Sequence, residues 1–366
     1  MNAPFVLAAG GTGGHLFPAQ ALAGELMRRG RRVVVMTDGR GYNYGSVFPG
    51  AEITTVPAAT FAGRSRVGRI GAFAIIALGV AAALLKLLNL RPRAVVGFGG
   101  YPSLPVMMAA ALARVPAALH EQNAVPGRVN RLLAPRVKRI AATFPFARFA
   151  PNHPDRVVFT GNPVRAEAVA FRDLPYTPPE PGGQIRLLVF GGSQGARALS
   201  EIVPAALARL PEDLRRRLTI TQQTRAEDLE MVENAYRRTG LKAEAAKFFT
   251  DLPRRMAEAH LVIARSGAST LSELTVIGRP SILIPYPHAM DDHQTANAAV
   301  LAEAGAAWVI KEDVLDSDGL ARLLAEILTD PEMLAARAEA AKSLGHPDAA
   351  ARLADLAEGL SEDGAA

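Results

Sequence analysis

Apolar and polar positions fall along this chain in blocks. Short runs with almost no polar position, such as "FVLAAG" from Phe5 and "LLVFGG" from Leu187, alternate with longer stretches whose apolar residues recur every three or four places. A short apolar run ending in glycine fits a strand covered on both faces. The longer spacing fits a helix that does the covering. In the first half the pattern predicts strands near Phe5–Ala9, Val33–Thr37, Ile53–Val56, Ala94–Phe98, Ala117–His120, Ile140–Thr143 and Val157–Thr160. Helices fill most gaps, as in Pro18–Arg29 and Pro102–Arg114. A Pro-rich, Gly-ended segment, "DLPYTPPEPGGQ", has the composition of a linker or surface loop. Then the same grammar restarts with "IRLLVFGGSQGARALSEIV". Further strands follow near Leu218–Thr221, Leu261–Ala264, Ser281–Pro285 and Ala307–Ile310. Two successive βαβ arrays predict an α/β protein with two doubly wound parallel-sheet domains facing a deep cleft. Ligands of such sheets bind outside the carboxyl ends of the strands. The expected domains are residues 1–162 and 163–346, with a final helix, 347–366, packing back on the first.

One stretch breaks the amphipathic rule. "IGAFAIIALGVAAALL", residues 70–85, has no charge for 16 residues, where a membrane-spanning helix needs roughly 18–20. It lies between two strand-like runs and so reads as a crossover helix. A helix apolar all round must be buried or meet lipid. Burial in the core is expected for most of its length, with an exposed portion resting on a membrane as the alternative.

Composition narrows the classes. The 366 residues are 49% hydrophobic and 21% charged, which is globular. The absence of cysteine excludes disulfides, thiolate zinc sites and a cysteine nucleophile. The start, "MNAPFVLAAGG", lacks the basic region of a signal peptide. Net charge is +6, but residues 1–150 hold 18 Lys and Arg against 4 Asp and Glu, and the rest hold 23 against 31. A basic half points to an anionic partner, whether nucleic acid, a phosphate-bearing substrate or an acidic lipid surface; the plain alternative is a solvated basic surface with no partner.

Three loops share one design: "GGTGGH" from Gly10 to His15, "GFGGYPS" from Gly97 to Ser103, and "GGSQGA" from Gly191 to Ala196. Each follows an apolar strand and precedes a helix. Glycine brings the backbone close to a ligand, and the helix start offers free amides and a positive dipole end, which suits phosphate. The dinucleotide fingerprint G-x-G-x-x-G fails, because counting from Gly11 its third glycine falls on Leu16, although Asp38 ends the second strand where an acid can hold a ribose. No P-loop is present.

Other positions carry candidate chemistry. "RSGASTLSEL", from Arg265, makes a further anion cradle with Ser266, Ser269 and Thr270, and sets Glu273 where a carboxylate can accept from two ribose hydroxyls. The plain alternative makes Ser269 a helix cap. In "IPYPHAMDDHQTANA", from Ile284, Asp292 is expected to cap the helix that carries Gln294 and Asn297. "DSD" at Asp316 reads as a cap rather than a metal motif. "HEQNAVPG" lays His120, Glu121 and Asn123 at a strand end. "TGNPVR" places Arg165 near the domain junction, able to reach a diphosphate bidentately or to form a salt bridge.

These motifs, in this order over nearly the whole chain, together with "DDHQTANA", resemble the MurG family of peptidoglycan N-acetylglucosaminyltransferases. The resemblance implies the GT-B fold. It also implies inverting transfer of GlcNAc from UDP-GlcNAc to the 4-hydroxyl of MurNAc in undecaprenyl-diphospho-MurNAc-pentapeptide (lipid I), at the cytoplasmic face of the membrane as a peripheral enzyme. The donor would then meet Ser193, the 268–272 cradle (Ala268, Ser269, Thr270, Leu271, Ser272), Glu273 on the ribose, backbone near Thr250 on uracil, and Gln294 on GlcNAc. Thr12, Gly13 and Gly14 of the first loop, with Asn123 and Arg165, would reach the donor across the cleft. Gly13, Gly14, Gly99, Gly100 and Tyr101 would receive the acceptor diphosphate. His15 is the candidate base for the 4-hydroxyl. Some members carry two adjacent glutamines where this chain has His293–Gln294, so only Gln294 takes the sugar role. No metal, cofactor or nucleic acid is expected. An anionic membrane surface would meet the basic N-terminal domain. A UDP-GlcNAc 2-epimerase, a non-catalytic nucleotide-sugar sensor and a dehydrogenase are the rival readings.

Overall fold

The computed structural model describes residues 3–11, 13–39, 47–60, 66–192 and 196–361, with Arg66 and Val67 described by backbone alone. Thr12 and Ser193, named above, lie outside the described residues, as does Arg64. The chain divides into two compact units, Met1–Val164 with Asp348–Ala366, and Arg165–Pro347.

The first unit runs β1 (Phe5–Ala8), α1 (Gly13–Arg28), β2 (Val33–Thr37), β3 (Glu52–Thr55), α2 (Arg66–Leu90), β4 (Ala94–Gly97), α3 (Gly100–Leu112), β5 (Ala117–Glu121), α4 (Arg128–Leu133), β6 (Arg139–Ala142) and β7 (Val157–Phe159). Its seven strands are all parallel, in the order β3-β2-β1-β4-β5-β6-β7. Side chains alternate across a strand, so a sheet covered on both faces needs apolar residues at every position. β1 shows this: Phe5 and Leu7 join a core with α1, whereas Val6 and Ala8 join another with α2 and α3. The first of these cores also contains Leu353, Ala354 and Ala357, from the returning C-terminal helix Ala349–Gly359. Ion pairs from Arg29 to Asp355 and Glu358 hold that helix on α1.

In the second unit come α5 (Ala166–Ala170), β8 (Ile185–Phe190), α6 (Arg197–Ala208), α7 (Glu212–Arg217), β9 (Leu218–Gln223), α8 (Leu229–Thr239), β10 (Lys242–Ala246), α9 (Leu252–Glu258), β11 (Leu261–Ala264), α10 (Ala268–Ile277), β12 (Ser281–Leu283), α11 (His293–Glu303) and β13 (Ala307–Val309), followed by α12 (Ser317–Leu328) and α13 (Pro331–Ser343). Its six strands are parallel in the order β10-β9-β8-β11-β12-β13. Both sheets therefore reverse their winding beside the first strand of the unit. That is the switch point where doubly wound sheets leave a crevice for ligand.

Three expectations need correction. α1 begins at Gly13, not Pro18, so His15 sits in the first helical turn rather than in the loop. Strand β10 was missing from the sequence reading. The apolar crossover helix is not buried for most of its length. α2 extends to 25 residues, and its stretch Gly68–Leu90 is long and apolar enough to cross a membrane, yet only 22% of the most apolar window is buried. Ala72, Ile76, Ala83 and Leu87 face the core, while Ile70, Phe73, Leu78 and Leu85 stand 65–73% exposed. α2 lies between β3 and β4 of one sheet, which are separated there by β2 and β1, and α3 packs along it, so the helix behaves as a surface crossover with one apolar face left open.

Candidate functional site

In the first unit the loops after β1 and β4 flank the switch point. Gly99 and Gly100 adopt φ of 83° and 69°, a left-handed backbone that side-chain-bearing residues rarely take. A Cβ on Gly100 would stand 3.4 Å from the His15 ring, so the first turn of α1 and the start of α3 meet there. Asp38, at the end of β2, accepts from the Tyr101 hydroxyl at 2.6 Å. The acid that a dehydrogenase would turn to a ribose is thus already engaged with α3.

Beneath these loops lies a polar cluster at the end of β5. His120 is fully buried; its Nε2 lies 3.2 Å from the Gly161 carbonyl, and the Gln122 carboxamide approaches its Nδ1 at 3.0 Å. This pairing fits the neutral ring with its proton on Nε2. Burial, with a smaller push from His15, lowers its pKa to about 4. The buried Glu121 carboxylate accepts from the backbone amides of Asn123 and Gly127 at 3.0 and 2.9 Å, and from Asn130 Nδ2 at 2.7 Å. Burial raises its pKa against the pull of those donors. Asn123 therefore serves the loop through its amide. The buried Asn162 carboxamide has no hydrogen-bond partner among the described residues.

In the second unit, α10 starts at Ala268 with Gly267 at its cap position, so Ser269 is not the cap. The first amides of a helix lack internal acceptors. The Ser269 hydroxyl, in that first turn, is buried without a hydrogen-bond partner among the described residues. Thr270 shares the turn, while Ser272 donates back to the Ala268 carbonyl at 2.8 Å and Leu271 is wholly buried. Of the 268–272 stretch, backbone and hydroxyls at positions 268–270 are what a phosphate can meet. Glu273 is buried and receives both Nε and Nη2 of Arg165, at 2.7 and 2.8 Å. Arg165, expected to reach a diphosphate, is thus paired within its own unit. Thr250 is exposed at the loop before α9.

The end of β11 is tied to α11. Ser266 donates to the Gln294 carbonyl at 2.8 Å, and Asn297 Nδ2 donates to the Ser266 carbonyl at 3.2 Å. Gln294 Oε1 accepts from the Tyr286 amide at 3.0 Å, which leaves its NH2 group to donate elsewhere. Asp292 stands at the cap position of α11, but its carboxylate accepts from the Thr295 hydroxyl rather than from a backbone amide. Asp316 caps α12 through the Gly319 amide, as expected. Arg265 had no role in the sequence reading. It is buried, donates to the Ile284 and Pro285 carbonyls at 3.1 Å each and pairs with Glu312, so it fixes the ends of β11 and β12 against each other. Its only signal in the sequence is its place at a strand end, two residues before a glycine.

The glycosyltransferase family 28 N-terminal domain matches residues 5–142, and the C-terminal domain of that family matches residues 186–353. A Rhodospirillum centenum protein, named UDP-N-acetylglucosamine--N-acetylmuramyl-(pentapeptide) pyrophosphoryl-undecaprenol N-acetylglucosamine transferase, is 52% identical over 98% of this chain and 95% of its own. The protein of the same name from Paramagnetospirillum magneticum is 52% identical over 98% of each chain. The crystal structure of Acinetobacter baumannii MurG superposes with a TM-score of 0.80 at 28% identity, covering 98% of this chain and 100% of that one. A UDP-GlcNAc 2-epimerase from Neisseria meningitidis matches at a TM-score of 0.65 and 12% identity, which shows a shared fold alone. Two parallel-sheet units with glycine loops at their switch points, matched almost end to end by these relatives, place the chain in glycosyltransferase family 28: it has the GT-B fold and belongs to the MurG N-acetylglucosaminyltransferases.

Proposed function

We propose that the chain transfers GlcNAc from UDP-GlcNAc to the 4-hydroxyl of MurNAc in lipid I, with inversion at the anomeric carbon. The observation that carries this reading is the first turn of α10, where a buried, unpartnered Ser269 hydroxyl and free amides adjoin the Glu273 carboxylate. That arrangement suits a nucleoside diphosphate: the helix start takes the diphosphate and Glu273 takes the ribose hydroxyls. Backbone near Thr250 would take the uracil, and the Gln294 amide would donate to the GlcNAc hydroxyls.

Inversion needs the acceptor oxygen on the face opposite the leaving UDP. The transition state carries oxocarbenium character, so negative charge grows on the departing diphosphate. Amides fixed at the start of α10 stabilise that charge without reorganising. In the first unit Gly13, Gly14, Gly99, Gly100 and Tyr101 would hold the acceptor diphosphate, and His15 would accept the proton of the 4-hydroxyl. UDP release, measured with and without a lipid I analogue, tests the reading. Release that needs the analogue supports it, whereas isomerised sugar formed from UDP-GlcNAc alone would favour an epimerase.

The open apolar face of α2 and the basic composition of the first 150 residues support peripheral attachment to an anionic membrane, on its cytoplasmic face. Sedimentation with anionic vesicles at low and high salt tests it, and no binding at low salt overturns it.

A further inference from the structure

Two helices of the second unit have leading ends that are proposed to meet the donor. Backbone near Thr250, just ahead of α9, would take the uracil, and the first turns of α10 would take the diphosphate and the ribose. The far ends of these helices share one side chain. Arg279, two residues beyond α10, is only 2% exposed. Its Nε and Nη2 donate to the Ala257 carbonyl, in the last turn of α9, at 2.9 and 2.5 Å. Its Nη1 donates to the Ile277 and Gly278 carbonyls, at the end of α10, at 3.2 and 2.9 Å. The guanidinium lies 5.4 Å from the Tyr176 ring, whose hydroxyl donates to the His260 carbonyl at 2.8 Å.

No carboxylate pairs with this cation among the described residues. Taking a charge out of water is costly. Burial brings the Arg279 pKa down to about 10, and Arg186 pushes the same way. The plain explanation is a helix cap, because the last carbonyls of a helix lack partners and attract cations. α10 is closed without it. Gly278 has φ of 73°, and its amide and that of Arg279 both reach the Leu274 carbonyl, at 2.8 and 3.1 Å. Backbone alone therefore ends the helix. What the guanidinium adds is the link across to α9. Arg186 of β8 takes the next carbonyl, Glu258, at 2.5 Å, so the end of α9 is tied to both β8 and α10.

We infer that Arg279 is a positioning residue for the donor, which rests on the donor reading proposed above: by clamping the far ends of α9 and α10 it fixes the spacing between the uracil contact and the contacts for ribose and diphosphate. A helix rises 1.5 Å per residue, so the clamp acts through rods of roughly 10–12 Å. A small tilt at one end then shifts the other, and a ligand that spans both helices meets them out of register. A ligand held by α10 alone is indifferent to the tilt.

The full chain is titrated with UDP by calorimetry and with ADP by nuclear magnetic resonance. UDP spans both helices, whereas ADP keeps the ribose and diphosphate and lacks uracil. Arg279→Met keeps the bulk and removes every donor. It should bind UDP about tenfold more weakly, the order of one charge-assisted hydrogen bond, and ADP within about twofold of wild type. Arg279→Lys keeps the cation without the planar fork, and should fall between, about threefold weaker than wild type for UDP. A purely structural role would lower the melting temperature and leave UDP affinity alone, or would weaken both ligands equally. Either result overturns the clamp. If Arg279→Met does not fold, Arg279→Lys decides by the same comparison: a loss for UDP alone supports the clamp, and wild-type affinity or equal losses overturn it. A wild-type chain that does not bind UDP overturns the donor reading and the clamp with it. A wild-type chain that binds UDP no better than the variants do overturns the clamp alone.

Discussion

Arg165 and Glu273, 108 residues apart, form a two-pronged ion pair in which Nε and Nη2 of the guanidinium each meet one carboxylate oxygen. Glu273 is the group proposed to hold the ribose, so its orientation is fixed before any donor arrives. Each oxygen has a second lone pair to offer a hydroxyl. Removing Arg165 would leave a buried carboxylate without its counter-charge. Arg165→Met and Glu273→Gln should each raise the KM for UDP-GlcNAc about tenfold, a loss of the order found for one charge-assisted hydrogen bond. In the double variant the combined loss should be smaller than the sum, because both changes break the same pair. Steady-state kinetics on the four forms measures this; strict additivity would show that the pair does not act on the donor.

Acid should destabilise the first unit through His120. Its folded pKa, about 4, lies below the ordinary 6.5 because the buried ring cannot easily take a second proton. Between those values the unfolded chain binds more protons than the folded one. Stability from the neutral ring is therefore complete above pH 6.5 and is lost as pH falls toward 4, with a ceiling on the order of 3 kcal/mol. Glu121 works in the opposite sense at the acid end, since its raised pKa gives stability that is present below the ordinary carboxylate range and lost as pH rises. The comparison must therefore be between wild type and His120→Gln. The variant should be less stable at neutral pH, with a flatter dependence on pH from 6.5 to 4 in urea unfolding. Parallel curves would show that His120 does not titrate as its burial requires.

Much of this was legible in the sequence. Unbroken apolar runs such as Phe5–Ala8 mark strands covered on both faces, and glycines after β1, β4 and β8 mark the switch points. Strand β10 was not legible. "KAEAA" is an edge strand with two charges, and only the small side chains of Ala243 and Ala245 pack on the core, so its apolar signal is weak. The exposure of α2 was hidden for a related reason: a helix apolar all round carries no polar face to show which side meets water. The Arg165–Glu273 pair and the hold of Arg265 on β12 depend on residues brought together only by the fold, and no spacing announces them.

α2 faces two environments, so changes on its two sides should separate. A Cβ on Gly79 would lie 2.0 Å from the Pro57 carbonyl oxygen and 3.1 Å from Pro105 Cβ. Gly79→Ala should cost about 1–3 kcal/mol by overpacking. Phe73 and Leu78 are 68% and 65% exposed, so replacing both with serine should change folding stability by only about 0.5 kcal/mol. The same pair should weaken binding to anionic vesicles at least tenfold, since a large apolar side chain is worth about 1.5–3 kcal/mol when buried. Thermal unfolding and vesicle sedimentation read the two effects. Unchanged sedimentation of the serine variant would remove α2 from the membrane contact.

The sharpest test of mechanism falls on His15. It is half-buried in the first turn of α1, against Gly100. An imidazole titrates near neutral pH and can take the proton of the 4-hydroxyl as the new bond forms. Loss of a general base costs about 10²–10⁴ in rate. His15→Ala should therefore lower kcat at least a hundredfold and leave the KM for UDP-GlcNAc nearly unchanged, because His15 is not itself among the proposed donor ligands. The acid limb of the kcat–pH profile should vanish with it. A His15 that only hydrogen-bonds the acceptor would instead raise the acceptor KM and leave that limb in place, and near-normal turnover would end the proposal.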